Sequence, residues 1–210
     1  MDFADAYPSA EVLGVDLSPT QPSFVPPNLT FEIDDLEEEW TFSTPFDFIY
    51  GRMTVGAFAD SSKFFQQAYN NLTPGGWVEC FDICNPVQSD DGTLPQDSDL
   101  LKWSHFMLEG CRKIGRSAES PRLYKQQLEE QGFVNIQEIV YRWPINKWPK
   151  DRHFKELGVW SLANVEPGLE GLSMALFTRI LGWSKDELLL FLAGVRKDLK
   201  NPRYHAHWEM

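Results

Sequence analysis

The chain has 210 residues, and its 31 acidic against 19 basic residues give a formal net charge of −12 at pH 7. Because nucleic-acid and anionic-membrane binders rely on clustered Lys and Arg, this acidic excess argues against both classes of partner. The 42% hydrophobic and 24% charged residues are typical of a globular domain, and the length suits a single core.

Signals for membrane insertion or secretion are missing from the pattern. No window approaches 18 consecutive apolar residues, and the first residues lack the basic start and apolar run of a signal peptide. Three cysteines are an odd and sparse set, which argues against a disulfide framework and fits a reducing compartment. We therefore expect a cytoplasmic protein, with the nucleus as the alternative location.

The first 80 residues alternate short apolar runs with turns and helical segments, a pattern typical of βα units and a mostly parallel sheet. Strands are predicted over 11–16, 29–34, 46–50 and 77–81. Apolar residues at helical spacing predict a helix over 61–72. Pro74, Gly75 and Gly76 then predict a turn that reverses the chain from this helix into the last of these strands.

Beyond residue 90 the pattern changes to long helical stretches. The predicted elements are a helix over 99–114, a helix that Ser120 caps and that ends at Gly132, a strand over 134–143, a linker-like segment over 144–151, and a helix that a capping box opens at Ser184. We therefore divide the chain into a core over 1–95, a helical cover over 96–132, and a part over 133–210 with the late strand, more helical cover and the start of a last strand. All three belong to one domain.

Two predicted strands end in carboxylates, at Asp16 and at the Asp34–Asp35 pair. Ligands of open α/β sheets lie at the carboxyl ends of the strands, so acids at these positions have a use. Asp16 is placed to accept from both hydroxyls of a ribose. The Asp34–Asp35 pair is placed to accept from an adenine amino group while the backbone N–H of Leu36 donates to the ring. An equally weighted alternative is that these residues only form turns.

Several segments, taken in order, form a recognisable set. They are residues 3–19, 25–28, 31–35, 39–42, 46–49, 51–53, 72–79, 89–94 and 202–206, with runs such as GVDLSP, FEIDD, LTPGGWVE, SDDGTL and PRYHA. In these segments the chain resembles fungal S-adenosylmethionine-dependent class I methyltransferases of the LaeA-like group. This resemblance covers nearly the whole chain. It implies an α/β fold with a Rossmann-like sheet and a mainly helical substrate cover.

The resemblance also implies a cofactor and the residues around it. S-adenosylmethionine would contact Asp16 and Leu17 at the ribose, Asp34, Asp35 and Leu36 at the adenine, and the backbone of Gly51 and Arg52 near the methionine end. Trp77 and Glu79 would face the core on the fifth strand of the family's sheet. The helices after residue 95 would cover the methyl acceptor.

One family motif is not found in the chain. Family members open with a central strand and a Gly-rich loop of the type Asp/Glu-x-Gly-x-Gly-x-Gly, whereas the only glycine before residue 51 is Gly14. We therefore expect a chain truncated at its N-terminus and slightly short at its C-terminus. A missing central strand leaves backbone groups unpaired at about 1 to 3 kcal/mol each. The alternatives are a fragment, a sheet that has closed differently, and a protein partner or second copy that supplies the strand.

Two functions of different classes follow from this comparison. The first is methyl transfer from S-adenosylmethionine to a small molecule of fungal secondary metabolism. The second is a methyltransferase-derived protein without transferase activity, either a binding or regulatory subunit or a cofactor-independent cyclase. The missing Gly-rich loop favours the second function, and the retained Asp16 and Asp35 favour the first.

Other polar residues give weaker indications. His105, on the predicted helix over 99–114, is a candidate general base for an acceptor hydroxyl, although a lone histidine more often packs or lies on the surface. His205 and His207 share a strand face, but no third ligand stands at a recognised spacing, so we expect no metal. Asp90, Asp91 and Gly92 are interpreted as a turn.

Overall fold

In the computed structural model, which describes residues 1–19 and 21–210, the chain divides into two compact units. The first unit is Met1–Ser43 and the second is Thr44–Met210. Both combine helices with short strands, so the predicted mixed α/β class is confirmed. The division into parts over 1–95, 96–132 and 133–210 stays a prediction.

The first unit consists of a short helix, α1 (Asp2–Ala6), and two parallel strands, β1 (Val12–Asp16) and β2 (Leu29–Ile33). Asn28 connects them, since its side-chain amide donates to the carbonyls of Ala4, Tyr7 and Ala10 at 2.9–3.1 Å. Both strands agree with the predicted ranges. Their parallel pairing brings their carboxyl ends together, with Asp16 opposite Ile33.

The second unit opens with a parallel pair of strands joined by a helix: β3 (Phe46–Arg52), α2 (Ser61–Asn70) and β4 (Leu72–Phe81). The carboxylate of Asp60 caps α2 by accepting from the backbone N–H groups of Ser62 and Lys63. The helix buries Phe64, Phe65 and Ala68 along the stripe that the sequence spacing predicts.

The predicted turn at Pro74–Gly76 is wrong in its position. The helix ends at Asn70 with Asn71 as its C-cap, and β4 already begins at Leu72. Gly75, at φ +88°, lies in an irregular part of the ladder: Phe46 pairs with Leu72 but Phe48 pairs with Trp77. The extra residues form a bulge because Gly75 supplies the left-handed conformation that other residues rarely adopt.

The prediction that Trp77 and Glu79 face the core is also wrong. Both side chains are exposed, and the exposed fraction of Trp77 is 61%. On the same face, Phe48, which pairs with Trp77, and Tyr50, which pairs with Glu79, are exposed as well. A strand pattern of period two shows which residues share a face but not which face is covered.

The third sheet is antiparallel, with the order β5 (Cys84–Ser89), β7 (Ala206–Glu209) and β6 (Arg142–Pro144). The strand predicted over 134–143 is therefore confirmed only in its last two residues. Of the predicted strand residues before Arg142, Tyr141 alone continues the strand pairing, since its backbone exchanges hydrogen bonds of 2.9 and 2.8 Å with Met210. Their apolar side chains, including Val134, Ile139 and Val140, are exposed.

Four helices complete the second unit: α3 (Asp99–Lys113), α4 (Tyr124–Gln131), α5 (Arg152–Ala175) and α6 (Lys185–Leu199). The capping box at Ser184 is confirmed, with reciprocal bonds between Ser184 and Glu187. The predicted cap at Ser120 is wrong. Residues 120–123 form a 3-10 turn without a side-chain cap, and α4 begins at Tyr124. The main core lies between α3, α5, α6 and the third sheet, and it buries Leu100, Leu169, Phe177, Leu188, Leu192, Val195, Leu199 and Trp208.

The linker-like segment over 144–151 is part of this core rather than a linker. Ile145 is 0% exposed and Asn146 is 1% exposed. The amide of Asn146 donates to the carbonyls of Leu199 and Asn201 at 2.8 and 3.1 Å, so the segment is tied to the end of α6. Its two prolines indicate a bend in the chain, which this segment makes while buried.

Candidate functional site

In the first unit, Asp16, the last residue of β1, lies next to Asp34, the residue after β2. The backbone N–H of Asp34 donates to the carbonyl of Asp16 at 3.2 Å. Oδ1 of Asp16 accepts from the backbone N–H of Ser18 at 2.8 Å, and among the described residues Oδ2 has no hydrogen-bond partner. Leu17, between Asp16 and Ser18 in the sequence, is exposed. This strand end therefore presents a carboxylate oxygen that can accept from a ligand hydroxyl.

The loop after β2 is ordered by its own acids. Oδ1 of Asp34 accepts from the N–H of Asp35 at 2.8 Å, and Oδ1 of Asp35 accepts from the N–H of Glu37 at 2.9 Å. The carbonyl of Leu36 accepts from Nε1 of Trp40 at 3.1 Å. Asp35 and Leu36 are thus held in a defined turn beside the Asp16–Asp34 pair.

In the second unit, Gly51 and Arg52 form the carboxyl end of β3. Gly51 is buried and Arg52 is exposed. Met53, the next residue, has a φ of +56°, and its N–H donates to the carbonyl of Phe81 at 3.0 Å. A left-handed conformation costs a residue with a side chain about 1 to 2 kcal/mol, and such outliers cluster at ligand sites. Sequence reasoning missed Met53 because nothing in its residue type signals a positive φ.

His105, the candidate general base, is exposed on α3, on the side of the helix away from the buried Trp103. Within residues 1–19 and 21–210 its side chain makes neither a hydrogen bond nor an ion pair. The structure therefore supplies no group that would orient this imidazole.

A cavity of about 710 Å³ lies in the second unit, between β4 and residues 133–141. Its polar lining includes Asp82 and Tyr124, together with an ion pair in which Arg122 lies 3.3 Å from Glu209. Burial and the nearby Asp82 raise the pKa of Tyr124, so its hydroxyl stays protonated and donates. Sequence reasoning also missed Asp82, whose partners are distant in the chain.

A second polar pair that the motifs did not indicate joins Asp91 and His205. Oδ2 of Asp91 lies 2.6 Å from Nδ1 of His205, and the imidazole stacks on Trp148 with ring centroids 4.9 Å apart. His207 is buried, and its Nε2 has no partner in the described part of the chain. In that part, no three His, Cys, Asp or Glu side chains are grouped to hold a metal ion. No helix there has the length and apolar character to cross a bilayer.

Comparison with known proteins identifies the family. Residues 3–138 match the family model described as a methyltransferase domain. The chain is 39% identical over 98% of its length to probable methyltransferase tdiE of Emericella nidulans, and 37% identical over 98% to methyltransferase pytC of Aspergillus terreus. It is 38% identical over 99% to secondary metabolism regulator LAE1 of Cochliobolus heterostrophus. The chain spans 65% of tdiE, 64% of pytC and 69% of LAE1.

Solved structures agree on the fold. Phosphoethanolamine N-methyltransferase 2 of Haemonchus contortus, in complex with S-adenosyl-L-methionine, is 18% identical with a TM-score of 0.50. That match covers 99% of this chain and 44% of the nematode protein. The family model and the fungal relatives together show that the chain belongs to the methyltransferase domain family, as its sequence resemblance predicts.

Proposed function

We propose that this chain takes part in S-adenosylmethionine-dependent methyl transfer to a small molecule of fungal secondary metabolism. The observation that carries the proposal is the contact between Asp16 and Asp34 at the carboxyl ends of two adjacent parallel strands. Ligands of such sheets bind at these ends. The names of tdiE and pytC as methyltransferases, and of LAE1 as a secondary metabolism regulator, support the same reaction and setting.

The residues of the first unit fit the adenosine part of the cofactor. A carboxylate accepts hydrogen bonds only, so Oδ2 of Asp16 matches a ribose hydroxyl. Asp34 and Asp35, ordered by their own turn, match the adenine amino group. The contacts of Gly51 and Arg52, which belong to the second unit, with the methionine end stay a prediction from the sequence resemblance. When bound, S-adenosylmethionine supplies an electrophilic methyl group on its sulfonium.

The contribution of the chain is then mainly to orient two reactants and keep water away from them. Holding reactants in line is worth several kcal/mol of the barrier, so such a transfer needs no dedicated nucleophile. His105 has no orienting partner in the described residues, and we assign it no role in the reaction. The helices after residue 95, α3, α4, α5 and α6, are the proposed cover for the acceptor.

A second candidate is a regulatory protein of the same family without transferase activity. One observation favours it: the relative LAE1 is named a secondary metabolism regulator. A cofactor-independent cyclase has no observation in its favour. The expected partner strand and the cytoplasmic location stay predictions.

Calorimetric titration of S-adenosylhomocysteine into the folded chain distinguishes the two candidates. We expect micromolar binding by the wild type and a 10- to 100-fold loss with Asp16→Ala, because a hydrogen bond to a charged group contributes about 1.5 to 3 kcal/mol. Glu11→Ala, at the other end of the same strand region, is the matched control and should bind like the wild type. A chain that circular dichroism shows to be folded but that does not bind overturns methyl transfer and favours the regulatory role.

A further inference from the structure

Asp82 is a buried acid that no sequence motif singles out. It follows β4 directly and is 6% exposed. Its carboxylate accepts three hydrogen bonds: from the hydroxyl of Thr54 at 2.7 Å, from the backbone N–H of Val55 at 2.9 Å, and from the hydroxyl of Tyr124 at 3.0 Å. A buried carboxyl group with this many donors has its hydrogen-bonding capacity met.

The first two donors belong to the turn at the carboxyl end of β3. Thr54 and Val55 follow Met53, which has a φ of +56°. The backbone N–H of Met53 donates to the carbonyl of Phe81, the residue before Asp82. The end of β4 thus fixes this turn through one backbone and two side-chain hydrogen bonds. A left-handed residue with a side chain persists only where its surroundings determine it.

The third donor fixes Asp82 from the other side. Tyr124 begins α4, is partly buried, and lies with its hydroxyl 3.4 Å from the hydroxyl of Ser120. A further contact steadies the far side of the turn, where the Arg116 guanidinium donates to the carbonyl of Ala57. Asp82 therefore joins three segments that are not adjacent in sequence: the turn after β3, the end of β4 and the start of α4.

We infer that Asp82 is a positioning residue, which holds the backbone of Arg52–Val55 in the shape that the methionine end of S-adenosylmethionine needs. This inference rests on the proposed function. Asp82 itself acts through the turn and touches no ligand in this assignment. A ligand site that loops provide is precise only where the loops are held by supporting contacts, and small misplacements lower affinity and rate strongly.

The test compares two ligands, because the turn serves one end of the cofactor only. We measure binding of S-adenosylhomocysteine by calorimetry and of adenosine by ligand-observed NMR. Asp82→Ala should lower the affinity for S-adenosylhomocysteine at least 10-fold, because the unsupported turn misplaces its contacts with the ligand. The affinity for adenosine, which lacks the methionine end, should stay within about 2-fold of the wild-type value. Asp82→Asn should restore binding, since its carbonyl oxygen still accepts from Val55. Asp47→Ala, an exposed acid near the start of β3, is the control and should change neither affinity.

Each outcome has one meaning. A wild type that binds neither ligand overturns the proposed function. Suppose instead that the wild type binds both ligands. If Asp82→Ala then loses affinity for both ligands equally, or for neither, the positioning role is overturned and the proposed function stands. Should Asp82→Ala not fold, Thr54→Val replaces it, with Thr54→Ser as the conservative variant. The same selective loss, about 3-fold for one hydrogen bond, is then expected, and its absence overturns the inference.

Discussion

Nδ1 of His205 and Oδ2 of Asp91 lie 2.6 Å apart, although 114 positions separate the two residues. The other oxygen of Asp91 accepts from the hydroxyls of Thr93 and Ser89 at 2.8 and 3.1 Å. The backbone N–H of His205 also donates to the hydroxyl of Thr93. The pair therefore fastens the turn after β5 to the chain just before β7.

This pair predicts a pH-dependent contribution of Asp91 to stability. Hydrogen bonds from His205 and then Thr93 hold the pKa of Asp91 below its ordinary value of 3.8. A lowered pKa contributes stability above the ordinary value, and this contribution is lost as the pH falls through the lowered one. The melting temperature of the wild type should therefore exceed that of Asp91→Asn from about pH 5 upward. The difference between the two melting temperatures should decrease progressively below about pH 4.

Thermal melts between pH 3 and 6, followed by circular dichroism, check this behaviour. Asp97→Asn is the matched control, since Asp97 is exposed in the same loop region and its replacement should give only a small difference. A gap between wild type and Asp91→Asn that stays the same throughout this range would contradict the assignment.

Substitution by alanine should affect the stability of the fold very differently at two helical glycines. A Cβ at Gly158 in α5 would overlap the carbonyl of Asn146 and lie 3.2 Å from Cβ of Pro144. Backbone atoms cannot swing away, so Gly158→Ala should destabilise the fold by about 3 kcal/mol or more. A Cβ at Gly194 in α6 would overlap only the carboxylate of Asp99, which is 41% exposed and can rotate.

Because alanine also favours the helix by about 1 kcal/mol over glycine, Gly194→Ala should stay within about 1 kcal/mol of wild type. Urea unfolding of both variants measures the difference. Equal stability of the two variants would mean that α5 does not pack on the 144–146 segment as described.

Asn146 is the polar centre of the segment that connects β6 to α5. Besides its two donated bonds to Leu199 and Asn201, its Oδ1 accepts from the N–H of Trp148 at 3.0 Å. Asn146→Ala leaves these buried groups without partners, so we expect a loss of about 2 to 3 kcal/mol in the free energy of unfolding. Asn164→Ala, at an exposed position of α5, should change it by less than about 0.5 kcal/mol. Denaturant unfolding measures the midpoints of both variants, with the m-value expected to stay constant. Similar midpoints for Asn146→Ala and Asn164→Ala would refute the structural role of Asn146.

The capping box of α6 predicts a smaller effect. Ser184 accepts from the N–H of Glu187, whose side chain accepts from the Ser184 backbone N–H at 2.7 Å. Ser184→Ala should cost about 1 kcal/mol, and Ser184→Thr should retain most of the stability because threonine also caps. Guanidinium unfolding curves provide the test, and an alanine variant as stable as the threonine variant would speak against the cap.

Local signals predicted the elements well where the chain itself supplies the cause. The strands before Asp16 and Asp34 follow from apolar alternation, and their parallel pairing makes the two carboxylates neighbours. The exposure of Trp77 did not follow, because alternation says nothing about which face of β4 is covered. The Asp82 network was equally inaccessible, since its partners Thr54 and Tyr124 lie 28 and 42 positions away.

The position of β7 in its sheet sets the timing of folding. β7 lies between β5 and β6, and Ser89 of β5 pairs with Ala206, more than a hundred residues later. A ribosome adds about 5 to 20 residues per second, so β5 waits about 5 to 25 s for its neighbour. During synthesis the buried Val87 and the edge of β5 are accessible to chaperones, and this sheet closes only after β7 has left the exit tunnel.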